Sequence, residues 1–235
     1  MEVYVGTSGW LYDWNEGGDL RWYVKWSGLN SVELNASFYR FPFPSQVKGW
    51  AKLGVGLRWA VKVHRSVTHV HRLNDRGLQV LSKFIRVFEP MRDLVDFYLV
   101  QMPPNFTMTD ENLRRLSALS SLEIGRATFA AEFRHESWFS DEAVREVSRL
   151  GVVFVSVDSP MGTYVYNSGN TVYLRMHGRS AWYAHNYAAE ELDEVIGRIL
   201  SLSPYRVYVF FNNDHWMLEN ARYTLAKLRS AAAGQ

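Results

Sequence analysis

Apolar residues recur along this chain in short runs, and the segments between them carry the wider spacing of helices with one buried face. Runs at 3–8, 31–35, 58–64, 97–101, 128–134, 152–158, 171–177 and 206–212 have the length and β-branched or aromatic content of strands. The helical patterns between them have recognisable starts. Asp19 is placed to cap a helix through Trp26, Ser45 one through Leu53, and Asn74 or Asp75 one that ends near Phe88. Thr109 opens the next, and Ser140 one that stops at Gly151. Two more run over 188–200 and 216–229. Strand alternating with helix predicts a parallel sheet, and eight strands predict an α/β fold closed as a TIM-type (β/α)8 barrel. No glycine-rich phosphate loop follows the first strand, which argues against an open dinucleotide-binding sheet. The segment 159–170 is short and turn-rich, so the sixth helix is expected to be reduced or missing. Without a linker, repeat or low-complexity tract, residues 1–235 read as a single domain.

Successive side chains of a strand face opposite ways, so a barrel strand turns one parity to the helices and the other to the interior. In the second strand Val32 and Leu34 oppose Glu33 and Asn35. In the third Val61 and Val63 oppose Lys62 and His64, and in the fifth Ala131 and Phe133 oppose Glu132 and Arg134. In the seventh Val172, Leu174 and Met176 oppose Arg175 and His177. In the eighth Val207, Val209 and Phe211 oppose Tyr208, Phe210 and Asn212. Ser8, Gln101, Ser156 and Asp158 extend the polar set. These residues cluster at strand C-termini, the end at which such barrels hold their active sites. Any one of them fits a buried ion pair, Glu132 with Arg134 or Arg175 for instance. A whole ring of buried charge without a use is costly, and this favours a functional pocket.

Within that pocket Glu132, Lys62, Asp214 and Glu33 are the candidate catalytic groups. Ser8, Trp10, Asn35, His64, Gln101, Arg134, Asp158, Arg175, His177 and Asn212 are the candidate binding groups. Carboxylates beside cations suit an anionic or polyhydroxylated substrate, held by the cations while a carboxylate moves a proton. Phosphate esters, sugar acids and a nucleic-acid backbone all qualify. A divalent metal is the competing reading, since Glu132, Asp158, His177, His64 and Asp214 are competent ligands. Three cations in the same interior oppose it. His69 and His71 are spaced as a ligand pair but fall in a loop, and read as loop or surface histidines. Trp10, Trp138, Trp182 and Trp216 each follow a strand closely and either stack on a ligand or cap the barrel end. Trp22, Trp26, Trp50 and Trp59 read as packing.

Composition changes this picture little. Apolar residues make up 47% and charged residues 21% of the chain, enough for a real core. No apolar run approaches the roughly 18 residues of a membrane span, and the opening Met1-Glu2-Val3-Tyr4 has no leader pattern, so a cytoplasmic location is expected. Cysteine is absent, which excludes disulfides, thiolate ligands and a cysteine nucleophile. A net charge of +2 without a clustered basic stripe points only weakly to anionic partners.

Several blocks carry a family resemblance: Gly6-Thr7-Ser8-Gly9-Trp10, Val32-Glu33-Leu34-Asn35 with Phe38-Tyr39, Ala60-Val61-Lys62-Val63 with Thr68-His69, and Gln101-Met102-Pro103-Pro104. Ala131-Glu132-Phe133-Arg134-His135 with Ser137-Trp138-Phe139, Arg175-Met176-His177-Gly178, and Phe211-Asn212-Asn213-Asp214 with Asn220-Ala221 continue the series. In this order they resemble the YecE-like family, domain of unknown function 72, over essentially the whole chain. The resemblance implies an eight-stranded parallel barrel and brings no established activity. The compact stretch after Asp158 departs from the family pattern and touches one wall of the expected pocket. The leading expectation is an enzyme acting on an anionic, phosphorylated or sugar-like substrate. The alternatives are a metal-dependent hydrolase or binder of nucleic acid, and a non-catalytic ligand-binding module.

Overall fold

The structure, a computed structural model, describes residues 1–234. The strands are β1 (Glu2–Thr7), β2 (Ser31–Leu34), β3 (Arg58–Lys62), β4 (Val95–Gln101), β5 (Thr128–Glu132), β6 (Val153–Ser159), β7 (Gly162–Tyr164), β8 (Thr171–Met176) and β9 (Arg206–Phe211). The helices are α1 (Leu20–Trp26), α2 (Pro44–Leu53), α3 (Asp75–Val87), α4 (Asp110–Ser117), α5 (Asp141–Arg149), α6 (Ala189–Ser201) and α7 (Met217–Ala233). Strand order is β5-β4-β3-β2-β1-β9-β8-β6-β7, and β5 also pairs with β6. That pairing closes the eight main strands into the expected parallel barrel, while β7 pairs antiparallel with β6.

Local chemistry accounts for the element ends. Asp19 Oδ1 accepts the Trp22 N–H at 2.8 Å, Asn74 Oδ1 that of Gly77 at 3.0 Å, and Ser140 Oγ that of Ala143 at 3.2 Å. Thr109 Oγ1 does the same for Asn112 at 3.3 Å. Each such cap contributes about 1 kcal/mol. Gly151 follows α5 with φ at 73°, the left-handed end that favours glycine. Ser45 does not cap α2. Pro44 takes the first helical position, where its missing N–H costs nothing, and Gln46 Oε1 accepts the Phe43 N–H at 2.9 Å. Where a sixth helix would follow β6, the chain folds straight back as β7, with Asp158 opposite Thr163.

The described residues pack as two compact units, residues 1–33, 56–58 and 155–234, and residues 34–55 and 59–154. In the first unit the interior parity begins with rings: Tyr4 stacks on Tyr208 at 4.6 Å between centroids, and Tyr173 lies 5.2 Å from Phe210. Tyr23 of α1 ties β1 to β2, its hydroxyl donating to Ser31 O at 2.8 Å and accepting the Thr7 N–H at 3.2 Å. Gly6 is required here, because a Cβ would lie 2.2 Å from Ser31 O on the paired strand. In the second unit Trp138 is fully buried, stacked 3.9 Å from Phe133, and its Nε1–H donates to Phe106 O at 2.7 Å. Of the tryptophans read as packing, Trp59 is buried, but Trp26 is exposed with the Lys25 ammonium over its ring, because α1 turns that face to solvent.

Candidate functional site

In the first unit, interior positions two residues apart on β8 carry Tyr173, Arg175 and, just past the strand, His177. Arg175 and Glu33 of β2 are both fully buried and form an ion pair, Arg175 Nη2 to Glu33 Oε1 at 2.6 Å and Nε to Oε2 at 3.0 Å. Ser8 Oγ donates to Oε1 at 2.8 Å and the Tyr173 hydroxyl to Oε2 at 2.7 Å. The carboxylate's lone-pair directions are therefore filled. Glu33 does not stand as an unattached acid, and Ser8 is spent on it; the pair and its two hydroxyls form one neutralised knot.

Asp158, at the end of β6, is a second such knot. Its Oδ1 accepts from the Tyr187 hydroxyl at 2.6 Å, and Oδ2 from Thr163 Oγ1 at 2.6 Å and Arg179 Nε at 3.0 Å. The Tyr187 hydroxyl in turn accepts the Gly178 N–H at 2.8 Å. Burial first, then the Asp158 charge, pushes the Tyr187 phenol far above its ordinary value, so it remains a proton donor to Asp158. His177 is fully buried, and its Nδ1 lies 3.3 Å from Asn212 Nδ2. Trp182 and Tyr183 stand beside the His177 ring at 5.4 and 5.7 Å.

The second unit holds the cationic group. Glu132, fully buried at the end of β5, lies 2.5 Å from Arg134 Nε. Gln101 lies opposite Glu132 in the β4–β5 register. Lys62, 7% exposed at the end of β3, sets its ammonium 4.4 Å from the Phe38 ring centroid. His69 packs edge-on against the same Phe38 at 5.1 Å, and its Nδ1 shares a hydrogen bond with Thr68 Oγ1 at 2.9 Å. Burial first, then the charges of Lys62, Arg65 and Arg134, hold the His69 imidazole below its ordinary value. His64 turns to Ser66 at 2.7 Å and to Phe41, and Asn35 is half-buried with its Oδ1 lacking a partner among the described residues.

One expectation needs correction. Asp214 does not stand among the interior acids. β9 ends at Phe211, and the chain turns so that Asp214 (φ 59°) pairs with His215 at 3.4 Å, its side chain 45% exposed. Of the tryptophans that follow strands, Trp10 and Trp138 are buried, which agrees with the packing alternative, whereas Trp216 is exposed on the turn. His69 lies in the segment after β3, half-buried, in keeping with a loop histidine. Among the described residues no group of three or more His, Asp or Glu is placed to hold a metal ion, so the metal-ligand set of the sequence reading does not assemble. No described helix is long and apolar enough to cross a membrane.

Sequence reasoning passed over Tyr173, although it shares the Arg175 parity and a period-two reading reaches it. Arg179, Tyr187 and Thr163 lie in a loop and a hairpin that carry no periodic pattern.

The chain matches the family "Protein of unknown function DUF72" over residues 4–234. A solved DUF72 family protein of Thermotoga maritima is 28% identical, covers 99% of this chain and 100% of its own, and superposes with a TM-score of 0.77. A DUF72 family protein of Enterococcus faecalis is 21% identical over 97% of this chain and 98% of its own, with a TM-score of 0.79. A D-tagatose 3-epimerase-like protein shares the fold at 14% identity, covering 100% of this chain and 99% of its own with a TM-score of 0.65. No curated protein matches significantly. With closed-barrel topology, polar strand ends and a family match that spans nearly every described residue, this chain belongs to the DUF72 family.

Proposed function

We propose that this barrel is an enzyme performing acid–base chemistry on a sugar-like substrate that carries a negative charge. The carrying observation is the Lys62, His69, Glu132 and Arg134 group: one buried carboxylate at a strand C-terminus, beside an imidazole that burial first and the neighbouring cations after it hold below its ordinary value. Lys62 and Arg134 would hold the anionic group, and Arg134 also orients Glu132. Glu132, an acceptor-only carboxylate while ion-paired, would take a proton from the substrate. His69 Nε2, which makes no hydrogen bond to the described residues, would meet a hydroxyl without adding charge. Likeness of fold to a sugar epimerase-like barrel supports the polyhydroxylated half of the reading, and the cations support the anionic half.

Calorimetric titration of the full chain with sugar phosphates, sugar acids and matching neutral sugars, followed by proton exchange in D2O for any ligand found, tests this. Lys62→Met should weaken anionic ligands at least about tenfold and leave neutral sugars nearly unchanged. Glu132→Gln should slow exchange about 100-fold or more, within the range of general base catalysis. Equal affinity for charged and neutral sugars removes the anionic part of the proposal. Undiminished exchange in Glu132→Gln removes Glu132 as the base.

A further inference from the structure

The loop between β8 and α6 holds a second chemical constellation that the reading above does not use. Ser180 is exposed, and its Oγ lies 2.8 Å from His185 Nδ1. The Ser180 N–H also points at Nδ1, at 3.4 Å. With two donors facing it, Nδ1 is the acceptor, so the ring proton sits on Nε2, 3.0 Å from Glu191 Oε2. Glu191 is itself fixed at the start of α6, where its Oε2 accepts the Ala188 N–H at 2.9 Å. Burial works against the charge of Glu191, yet the Ala188 and His185 hydrogen bonds outweigh it and hold the carboxyl below its ordinary value.

We propose that Ser180, His185 and Glu191 form a nucleophile, base and orienting acid, and that this loop hydrolyses small carboxylic esters approaching from solvent. Chain geometry maintains the arrangement. Gly178 has φ at 103°, and a Cβ there would lie 2.6 Å from Ala181 O and 2.7 Å from His185 Cβ, so the loop closes on itself only with glycine at that position. Tyr183 holds φ at 66° with its N–H bonded to His177 O at 2.7 Å, a strained conformation kept inside the same loop.

Serine–histidine hydrogen bonds are also common as turn staples, and this chain supplies two for comparison. His64 Nδ1 meets Ser66 Oγ at 2.7 Å and His135 Nδ1 meets Ser137 Oγ at 2.9 Å, each with the serine N–H on the same nitrogen. Neither of those rings has a carboxylate on its other nitrogen among the described residues; His185 does. A staple needs only the first contact, whereas a general base is oriented and stabilised as imidazolium by the second.

In the first step Ser180 Oγ bonds to the ester carbonyl carbon, its proton passes to His185 Nδ1, and the alcohol leaves carrying that proton as the C–O bond breaks. Water then attacks the acyl-serine, gives a proton to His185, and releases the carboxylic acid with Ser180 restored.

A fluorophosphonate probe reads this without any sugar present, so its outcome is independent of the Glu132 proposal. The full chain should take one phosphonyl group, mapped by mass spectrometry to Ser180, with Ser66 and Ser137 unmodified. Ser180→Ala should abolish it, and p-nitrophenyl acetate hydrolysis should fall in parallel. Glu191→Gln keeps a side chain able to accept the Ala188 N–H and removes only the charge; labelling should slow about tenfold or more. His185→Gln should slow it further. No adduct on Ser180, or an adduct formed at the same rate in Glu191→Gln, overturns the proposal. If His185→Gln does not fold, the Glu191→Gln rate decides.

Discussion

Glu33 and Arg175 are 142 positions apart and meet with no exposure to water, held by Ser8 and Tyr173. Such a pair gains little overall, because desolvation offsets most of its attraction, but breaking one side strands a charge. Glu33→Ala should therefore cost about 3–5 kcal/mol in urea unfolding. The double variant Glu33→Ala with Arg175→Met should recover most of that loss, since an apolar pair leaves no orphan. If both variants are equally destabilised, the cost lies in packing and not in the lone guanidinium. Asp158 differs in kind: its partners Arg179, Thr163 and Tyr187 come from beyond its own strand, so it fastens the hairpin and the loop to β6.

At the scale of elements, the segments after the strands divide between packing and chemistry. The short turn after β5 buries Trp138 completely against Phe133 and Phe106. Trp138→Ala should lower stability by about 3–5 kcal/mol, as expected for removing a large buried ring. In a chain of 235 residues that is a fall in Tm of roughly 6–20 °C, at about 2–4 °C per kcal/mol. Thermal unfolding followed by circular dichroism checks it, and a shift of a degree or two would mean the ring's site refills. The cap residues were legible because an N-cap is a local event, set by one side chain and an N–H three residues on. The β6–β7 hairpin was legible only as a missing helix. Nothing periodic marks three residues that turn back on their own strand.

For the molecule as a whole, the exposed consequence of the cationic group is its response to acid. His64 and His69 both lie below their ordinary values, His64 through burial first and Arg65 after it, His69 through burial and then Lys62, Arg65 and Arg134. Below about pH 6.5, the ordinary imidazole value, the unfolded chain takes up protons at these positions that the folded chain refuses. Stability is therefore present above that value and declines as pH falls from it toward the folded values. The double variant His64→Gln with His69→Gln should show a shallower loss between pH 7 and pH 5 in chemical unfolding. An identical slope in both proteins would remove these histidines as the cause.

The sequence by itself determined the closed barrel and the positions of all eight main strands to within a residue or two. Alternation within a strand is fixed by backbone geometry, so it is written into a few consecutive letters. It also identified the family, because short blocks around strand ends carry that pattern in order. Tertiary structure alone decided who pairs with whom. Arg175 chose Glu33, 142 positions away, and left Glu132 to Arg134, because strand register and side-chain reach set those distances and the long-range choice is not encoded locally. It also turned Asp214 outward once β9 ended, gave His69 to the cations, and aligned Ser180, His185 and Glu191 across a loop whose glycine permits a turn that no periodicity announces.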